Sequence, residues 1–159
     1  GSGTILREVI EAAELLEKDW NIAADIWSVT SFTELARDGM DVERWNRLHP
    51  MENPRKGYLA TQMEETRGPA VAATDYMRAY ADQIRNCMGD RRYVTLGTDG
   101  YGRSDLREKL RSFFEVNRYH VVVAALKALA DDGEIEKETV ARALHAYKID
   151  PEKPNPTTV

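Results

Sequence analysis

The strongest constraint on the fold is a short apolar run that leads into a glycine-rich turn and then into a helix pattern. Tyr93–Leu96 is apolar and β-favouring, as in a strand that is covered on both faces. Three glycines within residues 97–102 permit a tight turn there. We expect Ser104 to cap the following helix and Asp105 to lie at the positive end of its dipole. Strand, turn and helix in this order indicate an α/β fold.

The same alternation of strand and helix patterns continues along the rest of the chain. Residues 24–29 and 69–74 are further apolar runs and predict two more strands. Helix patterns cover residues 4–20, 31–39, 41–48, 58–65, 76–88, 106–113, 118–131 and 136–147. The alternation predicts a three-layer, Rossmann-like architecture, in which a mostly parallel sheet has helices on both faces.

Local signals also predict helix caps and inner faces. Ser31 and Glu34 form a capping box, and Asp75 and Asn117 are expected to cap the helices that follow them. The expected inner face of the first helix consists of Leu6, Ile10, Ala13, Leu16 and Trp20. That of the helix after Asp75 consists of Met77, Tyr80, Ala81, Ile84 and Met88.

Both ends of the chain carry information about domain organisation. Residues 1–3 read Gly-Ser-Gly, a turn of the kind that normally follows a strand, so we expect the first strand of the sheet to be missing from this chain. Residues 1–149 are assigned to one α/β domain. Residues 150–159 contain three prolines and form a tail that we expect to be extended and poorly ordered unless it docks.

Composition limits the classes of partner and compartment. A formal net charge of −5 argues against a general nucleic-acid binder or an anionic-membrane binder, since neither would gain energy from an acidic surface. The single cysteine excludes an internal disulfide framework and fits a reducing compartment. No apolar run approaches the ~20 residues that a membrane span needs, and no signal peptide is visible. The expected location is the cytoplasm.

The carboxyl ends of the predicted strands are polar and indicate where a functional surface lies. Because parallel strands end at one edge of a sheet, their polar ends meet there. We predict a polar site or interface at this edge, and its candidate residues are Thr98, Asp99, Arg103 and Asp105. The competing interpretation is a glycine-shaped connection in which Asp99 and Arg103 form only a local pair.

No complete catalytic or cofactor motif is present. Residues 1–6 resemble a dinucleotide-binding fingerprint in which the third glycine is replaced by leucine. Cys87 has no adjacent histidine and is interpreted as a structural thiol. The three histidines lie far apart and lack metal-ligand spacing: His49, His120 and His145. We therefore assign no catalytic, cofactor-binding or metal-binding residue.

Several long runs together carry a specific resemblance to a known family. They are Gly1–Arg7, Ser28–Gly39, Glu43–Pro50, Thr74–Met77 and Gly97–Asp105. In these runs the chain resembles the carboxy-terminal domain of the homodimeric, thiamine-dependent decarboxylases of pyruvate dehydrogenase complexes. More broadly, it is similar to the third domain of transketolases. The resemblance covers essentially the whole chain.

The resemblance implies an activity that belongs to a longer parent enzyme. That enzyme would decarboxylate pyruvate oxidatively and transfer the acetyl group to lipoyl groups of a dihydrolipoyl acetyltransferase. It would be a homodimer that uses thiamine diphosphate and magnesium, both bound by upstream domains. The family's thiamine motif, Gly-Asp-Gly with a downstream asparagine pair, has no match here, since Gly89–Asp90 is followed by Arg91. We expect no cofactor in this domain and no activity from it alone.

What the domain contributes is expected to be structural. It would pack against its neighbours, support the dimer and help to shape the assembly. The alternative function is a free-standing, flavodoxin-like module that binds a small or regulatory ligand at the polar edge. A purely helical interaction module is disfavoured by the predicted strands.

Overall fold

The computed structural model describes residues 1–159 and contains helices on both faces of one short parallel sheet. The strands are β1 (Ala70–Ala73) and β2 (Tyr93–Leu96). The α-helices are α1 (Leu6–Trp20), α2 (Phe32–Leu48), α3 (Tyr58–Met63), α4 (Arg78–Asp82), α5 (Arg107–Phe113), α6 (Arg118–Asp131) and α7 (Lys137–Ala146). Two 3₁₀ helices cover Gly3–Ile5 and Arg85–Met88. None of the helices has the length and apolar character needed to cross a membrane.

The sheet separates two apolar cores, as the predicted three-layer architecture requires. β1 and β2 pair in parallel with Ala70 opposite Tyr93. Ala72 and Ala73 are neighbours in β1, so their side chains point to opposite faces. Ala73 joins a core with residues of α1, α6 and α7, whereas Ala72 joins a second core with residues of α2 and α4. The predicted α/β class and both of these strands are confirmed.

The predicted strand over residues 24–29 is wrong. The backbone is irregular from Asn21 to Val29. Its contacts with the neighbouring segment are two hydrogen bonds: the Gly1 amine donates to Trp27 O at 2.8 Å, and Val29 N–H donates to Gly1 O at 2.9 Å. A strand needs a ladder of bonds along its length, and this segment meets only one residue. The polar strand ends that meet at the sheet edge therefore number two rather than three.

Gly39 does not divide α2 into the two helices that were predicted. The helix runs through it without a break to Leu48. A Cβ at position 39 would collide with Sγ of Cys87, so the glycine permits a close approach between α2 and the Arg85–Met88 turn. The predicted cap is confirmed, because Ser31 Oγ accepts a hydrogen bond from Glu34 N–H at 3.2 Å.

The single helix predicted after Asp75 is also wrong. α4 covers only one turn and is followed by the Arg85–Met88 3₁₀ helix. Asp75 does not cap α4, since its carboxylate accepts from the Thr4 hydroxyl instead. Met77 and Tyr80, expected on the inner face, are both exposed. The break places Ala81 and Ile84 in the core, with Met88 packed against it, and leaves Met77 and Tyr80 outside.

At α1 the buried face differs from the predicted one. Ile10 is 39% exposed, and the buried positions include Glu8, Ala12 and Leu16. Apolar spacing alone favours the Leu6–Ile10 face, whereas the structure turns the helix so that a carboxylate faces inward. This carboxylate has basic partners from distant parts of the chain, which are described below.

The helix caps give one correction and one confirmation. Ser104 does not cap α5, which starts later, and Asp105 accepts a hydrogen bond from the Leu106 N–H at 2.7 Å. Asn117 caps α6 as predicted, since its Oδ1 accepts from the His120 N–H at 3.1 Å.

Residues 150–159 lie against the glycine-rich turn and α5. Lys153 Nζ donates to Phe113 O at 2.8 Å. Pro156 is buried, and its carbonyl lies so close to Gly100 that a side chain at position 100 would collide with it. Gly100 also has a φ of +118°, which favours glycine.

Candidate functional site at the carboxyl edge of the sheet

Two loops build the carboxyl edge of the sheet, and they are bonded to each other. One follows β1 and the other follows β2. Thr98 donates from N–H to Tyr76 O at 3.0 Å and from its hydroxyl to Asp75 O at 2.6 Å. A Cβ at Gly97 would lie 2.6 Å from Tyr76 O. The glycine before Thr98 therefore lets the two loops approach each other closely.

Asp99 and Arg103 contact different partners. Asp99 Oδ2 accepts hydrogen bonds from Arg78 N–H and Arg78 Nε, each at 3.1 Å. The carboxylate thus holds the start of α4. The Arg103 guanidinium lies over the Phe113 ring, 4.3 Å from its centre. The local Asp99–Arg103 pair of the competing interpretation does not form.

A cavity of about 440 Å³ opens at this edge, and two of the four predicted residues line it. These two residues are Thr98 and Arg103. They share the cavity with residues from distant parts of the chain, which the sequence did not predict. Asp99 lines a separate cavity beside Arg78 and residues of the tail. The other polar residues that line the first cavity are Thr4, Asp75, Arg107 and Arg111. We call the cavity that these six polar residues line the edge cavity.

The edge cavity carries more positive than negative side chains. Arg103 and Arg107 form no ion pair, whereas Arg111 donates to Glu8 Oε1 at 2.7 Å. Asp75 is the one carboxylate in the lining, and it already accepts a hydrogen bond from Thr4. The arrangement suits a carboxylate or phosphate group, because arginine donates two parallel hydrogen bonds to either.

Behind the edge cavity lies a buried carboxylate that sequence reasoning missed. Glu8 is 3% exposed. Its Oε2 accepts from Arg118 N–H at 2.9 Å and Arg118 Nε at 3.0 Å, and its Oε1 accepts from Arg111. Burial alone would raise the pKa of Glu8, but the hydrogen bonds from Arg118 and the charges of Arg118 and Arg111 outweigh it and lower that pKa. The sequence does contain a signal for this burial, because Glu8 lies at helical spacing from the apolar residues Ile5, Ala12 and Leu16.

Exposed aromatic and aliphatic side chains surround the same edge. Tyr101 is 76% exposed and Leu106 is 70% exposed, both in the loop after β2. Tyr76 and Tyr80, from the loop after β1 and from α4, are also exposed, and their rings lie 5.5 Å apart. Large exposed apolar side chains beside charged ones are typical of a protein–protein contact surface.

The remaining titratable groups do not assemble a catalytic centre. His49 stacks on Trp45, and His120 pairs through Nδ1 with Asn117 Oδ1 at 2.7 Å. Burial lowers the pKa of His120. Burial and the neighbouring Asp38 and Glu43 raise the pKa of the Cys87 thiol, which disfavours a nucleophilic thiolate. No group of three or more histidine, cysteine, aspartate or glutamate side chains is placed to hold a metal ion.

Comparison with known proteins gives one family match and several close relatives. The family described as "Transketolase-like TK C-terminal domain" matches residues 1–117. The pyruvate dehydrogenase E1 component of Cupriavidus necator is 61% identical over 159 residues, which is 100% of this chain and 18% of that protein. The same component of Pseudomonas aeruginosa is 60% identical over 156 residues, or 98% of this chain and 18% of that protein. That of Escherichia coli K12 is 57% identical over 156 residues, which is 98% of this chain and 17% of that protein.

This chain thus spans less than a fifth of the length of these relatives. The similarity extends over both cores, the edge loops and the tail. It concerns one region of a much longer kind of polypeptide.

Proposed function

This chain belongs to the transketolase-like TK C-terminal domain family, and we propose on that premise that it is the carboxy-terminal region of a pyruvate dehydrogenase E1 component. The observation that carries the proposal is the 61% identity over the full 159 residues. The parent enzyme would decarboxylate pyruvate oxidatively and pass the acetyl group to lipoyl groups.

Within that enzyme, the domain has an assembly role. The buried Glu8 is engaged in ion pairs with Arg111 and Arg118, while the carboxyl edge presents Tyr101, Leu106 and arginines without ion pairs to the outside. Such a surface supports packing on neighbouring domains and on the second subunit of a homodimer. The candidate contact residues remain Thr98, Asp99, Arg103 and Asp105.

Thiamine diphosphate and magnesium are the proposed cofactors of the parent enzyme. The residues of this chain do not fit them: no acidic or histidine cluster can ligate the metal, and Arg91 stands where the thiamine motif needs its second glycine. Binding of both cofactors is therefore assigned to upstream domains. The isolated chain is expected to be inactive, and no catalytic step is assigned to its residues.

The proposed partners are a second copy of the parent enzyme and the dihydrolipoyl acetyltransferase of the complex, in the cytoplasm. The edge residues are proposed to act at the first of these contacts. The acetyltransferase contact is not assigned to a surface of this chain.

The assembly role is tested in the full-length enzyme by reversing charges at the edge. A variant that combines Asp99→Lys and Arg103→Glu removes the hydrogen bonds from Arg78 to Asp99 at the start of α4, and it removes the contact between Arg103 and Phe113. We expect a weaker dimer in analytical ultracentrifugation, together with reduced pyruvate-dependent acetyl transfer. Unchanged activity, dimerisation and stability in this variant would refute the assigned surface.

A matched control is Glu52→Lys, a charge reversal in the exposed loop after α2. Glu52 forms no ion pair and lies outside the edge loops. We expect this variant to retain the dimer and the activity. If both variants lose the dimer equally, the effect is not specific to the edge, and the edge loses its special role.

A second candidate function is binding of a small anion in the edge cavity. It is favoured by Arg103 and Arg107, which lack carboxylate partners beside a cavity of about 440 Å³. A ligand that binds only the folded state raises the melting temperature. Inorganic pyrophosphate should therefore stabilise the chain at constant ionic strength, and an Arg103→Ala, Arg107→Ala variant should lose this response. Equal responses in both proteins would exclude the site.

A further inference from the structure

Residues 153–157 cross the end of α5 and the glycine-rich turn, and we call them the tail strap. Lys153 Nζ donates to Phe113 O at 2.8 Å and lies 3.1 Å from Glu115 Oε1. Phe113 is the last residue of α5, so its carbonyl has no partner within the helix. A lysine at the carboxyl end of a helix satisfies such a carbonyl and suits the negative end of the helix dipole. Lys153 is therefore the first anchor of the strap.

The second anchor is Pro156, which is buried. Its carbonyl occupies the place that a side chain at Gly100 would need, whereas a side chain at Gly102 would meet nothing. Asn155 Oδ1 accepts from the N–H of Thr157 at 3.0 Å and from its hydroxyl at 2.8 Å, which forms an Asx turn. The backbone around Pro156 is thus a defined turn that fits against one glycine of the neighbouring loop.

One aromatic ring links the strap to the edge cavity. The Arg103 guanidinium lies 4.3 Å from the centre of the Phe113 ring, and Lys153 Nζ lies 5.1 Å from the same centre. Glu115 balances the charge of Lys153, whereas Arg103 forms no ion pair. No residue of the strap lines the edge cavity itself. The strap therefore reaches Arg103 through Phe113 and Gly100 rather than by direct contact.

We propose that the tail strap is a clamp that fixes the glycine-rich turn and holds Arg103 over Phe113 at the edge cavity. Lys153 and Pro156 are its positioning residues. The docked strap gives the edge one shape, and its release frees the turn and lets Arg103 leave the cavity. The use of the clamp rests on the proposed function of the edge, because a partner or an anion at the edge would bind the docked shape.

Release of the strap does not require unfolding of the domain. Neither apolar core contains a residue of the strap. The Lys153 side chain is 28% exposed and that of Glu115 is 44% exposed, so solvent screens their ion pair. Segments that are held by few buried contacts open locally while the rest of a protein stays folded. The strap is such a segment, whereas the turn that it holds leaves directly from β2.

The test measures trypsin cleavage of the Arg103–Ser104 bond in the full-length polypeptide that contains this sequence. Cleavage of a folded protein reports the population of its locally open states. Lys153→Met removes the first anchor without removing a cleavage site, because a lysine before proline resists trypsin. We expect about tenfold faster cleavage after Arg103, since a hydrogen bond from a charged donor is lost. The Arg92–Tyr93 bond at the start of β2 should be cleaved at an unchanged rate.

The matched control is Lys148→Met, which removes the same charge from an exposed lysine that forms no ion pair. It should leave cleavage at both bonds unchanged. Lys153→Arg retains a charged donor and should restore slow cleavage after Arg103. Equal rates in the parent and Lys153→Met, equal acceleration by Lys148→Met, or acceleration at both bonds would overturn the proposal.

Pro156→Asp tests the second anchor independently. A carboxylate at a buried position is unfavourable, so the strap should release and cleavage after Arg103 should again accelerate. Pro151→Asp, at an exposed proline ahead of the strap, is its control and should have no effect. Unchanged cleavage in Pro156→Asp would refute the clamp. The readout uses neither pyruvate nor the dimer, so failure of the clamp is distinguishable from failure of the proposed function in the charge-reversal variant.

Discussion

At the scale of single residues, the most consequential side chain is one that the apolar pattern hides. Glu8 lies inside the protein, where it joins α1 to α5 and to the start of α6 through two arginines. A buried ion pair is weak evidence for net stability, but removal of one partner leaves an unpaired buried charge. The carboxylate also fixes Arg111, which forms part of the wall of the edge cavity.

We predict that Glu8→Gln destabilises the chain by about 3 kcal/mol at pH 7, because Arg111 and Arg118 lose their charged partner. The folded-state pKa of Glu8 lies below its ordinary value of 4.5. Its contribution is therefore complete above that pH and is lost as the pH falls through the lower folded-state value. Urea unfolding at a series of pH values should show a shallower acid loss for Glu8→Gln than for the parent chain.

The control for this prediction is Glu14→Gln, on the exposed side of the same helix. Glu14 forms no ion pair, so its neutralisation should change the unfolding free energy by less than about 0.5 kcal/mol. If the two variants behave alike, the Glu8 cluster does not stabilise the fold as described.

A second residue-scale prediction concerns the contact between Gly39 and Cys87. Gly39→Ala should be unfavourable in the parent chain, since the new Cβ displaces Sγ of Cys87. In a Cys87→Ala background the same change should be neutral or stabilising, because alanine favours a helix over glycine by about 1 kcal/mol. Equal effects in the two backgrounds, measured by a double-mutant cycle, would show that the contact is not tight.

At the scale of elements, local signals predicted α6 well. Asn117 precedes a long apolar helix and caps it through its side-chain oxygen. Asn117→Ala should lower the unfolding free energy by about 1 kcal/mol, whereas Asn117→Ser retains an acceptor and should cost less. Thermal unfolding of the two variants measures the difference, and an equal loss would argue against capping.

The elements that sequence reasoning missed depend on distant partners. Residues 24–29 have strand propensity but meet only Gly1, so no ladder forms. A glycine such as Gly39 is typical of a helix end, but α2 continues through it. The missing side chain instead makes room for Cys87 of the Arg85–Met88 3₁₀ helix. The candidate site shows the same division. Proximity in sequence placed Asp99 beside Arg103, whereas the fold pairs Asp99 with Arg78 and brings Arg103 to Arg107 and Thr98.

At the scale of the whole molecule, the two-layered core and the polar edge suggest one account. The domain has two cores, a sheet of only two strands and an edge rich in exposed aromatic and arginine side chains. It belongs to a family whose members matched here are far longer polypeptides. Its exposed edge is a feature that contacts within a larger protein would cover.

The most direct test of this account is the mass of the native polypeptide that contains this sequence. It is measured in the source cell by immunoblotting with an antibody raised against residues 1–159. The account predicts one band several times larger than the 18.1 kDa of this chain, as expected for a full pyruvate dehydrogenase E1 component. A band at 18.1 kDa would contradict it and would make anion binding in the edge cavity the leading function.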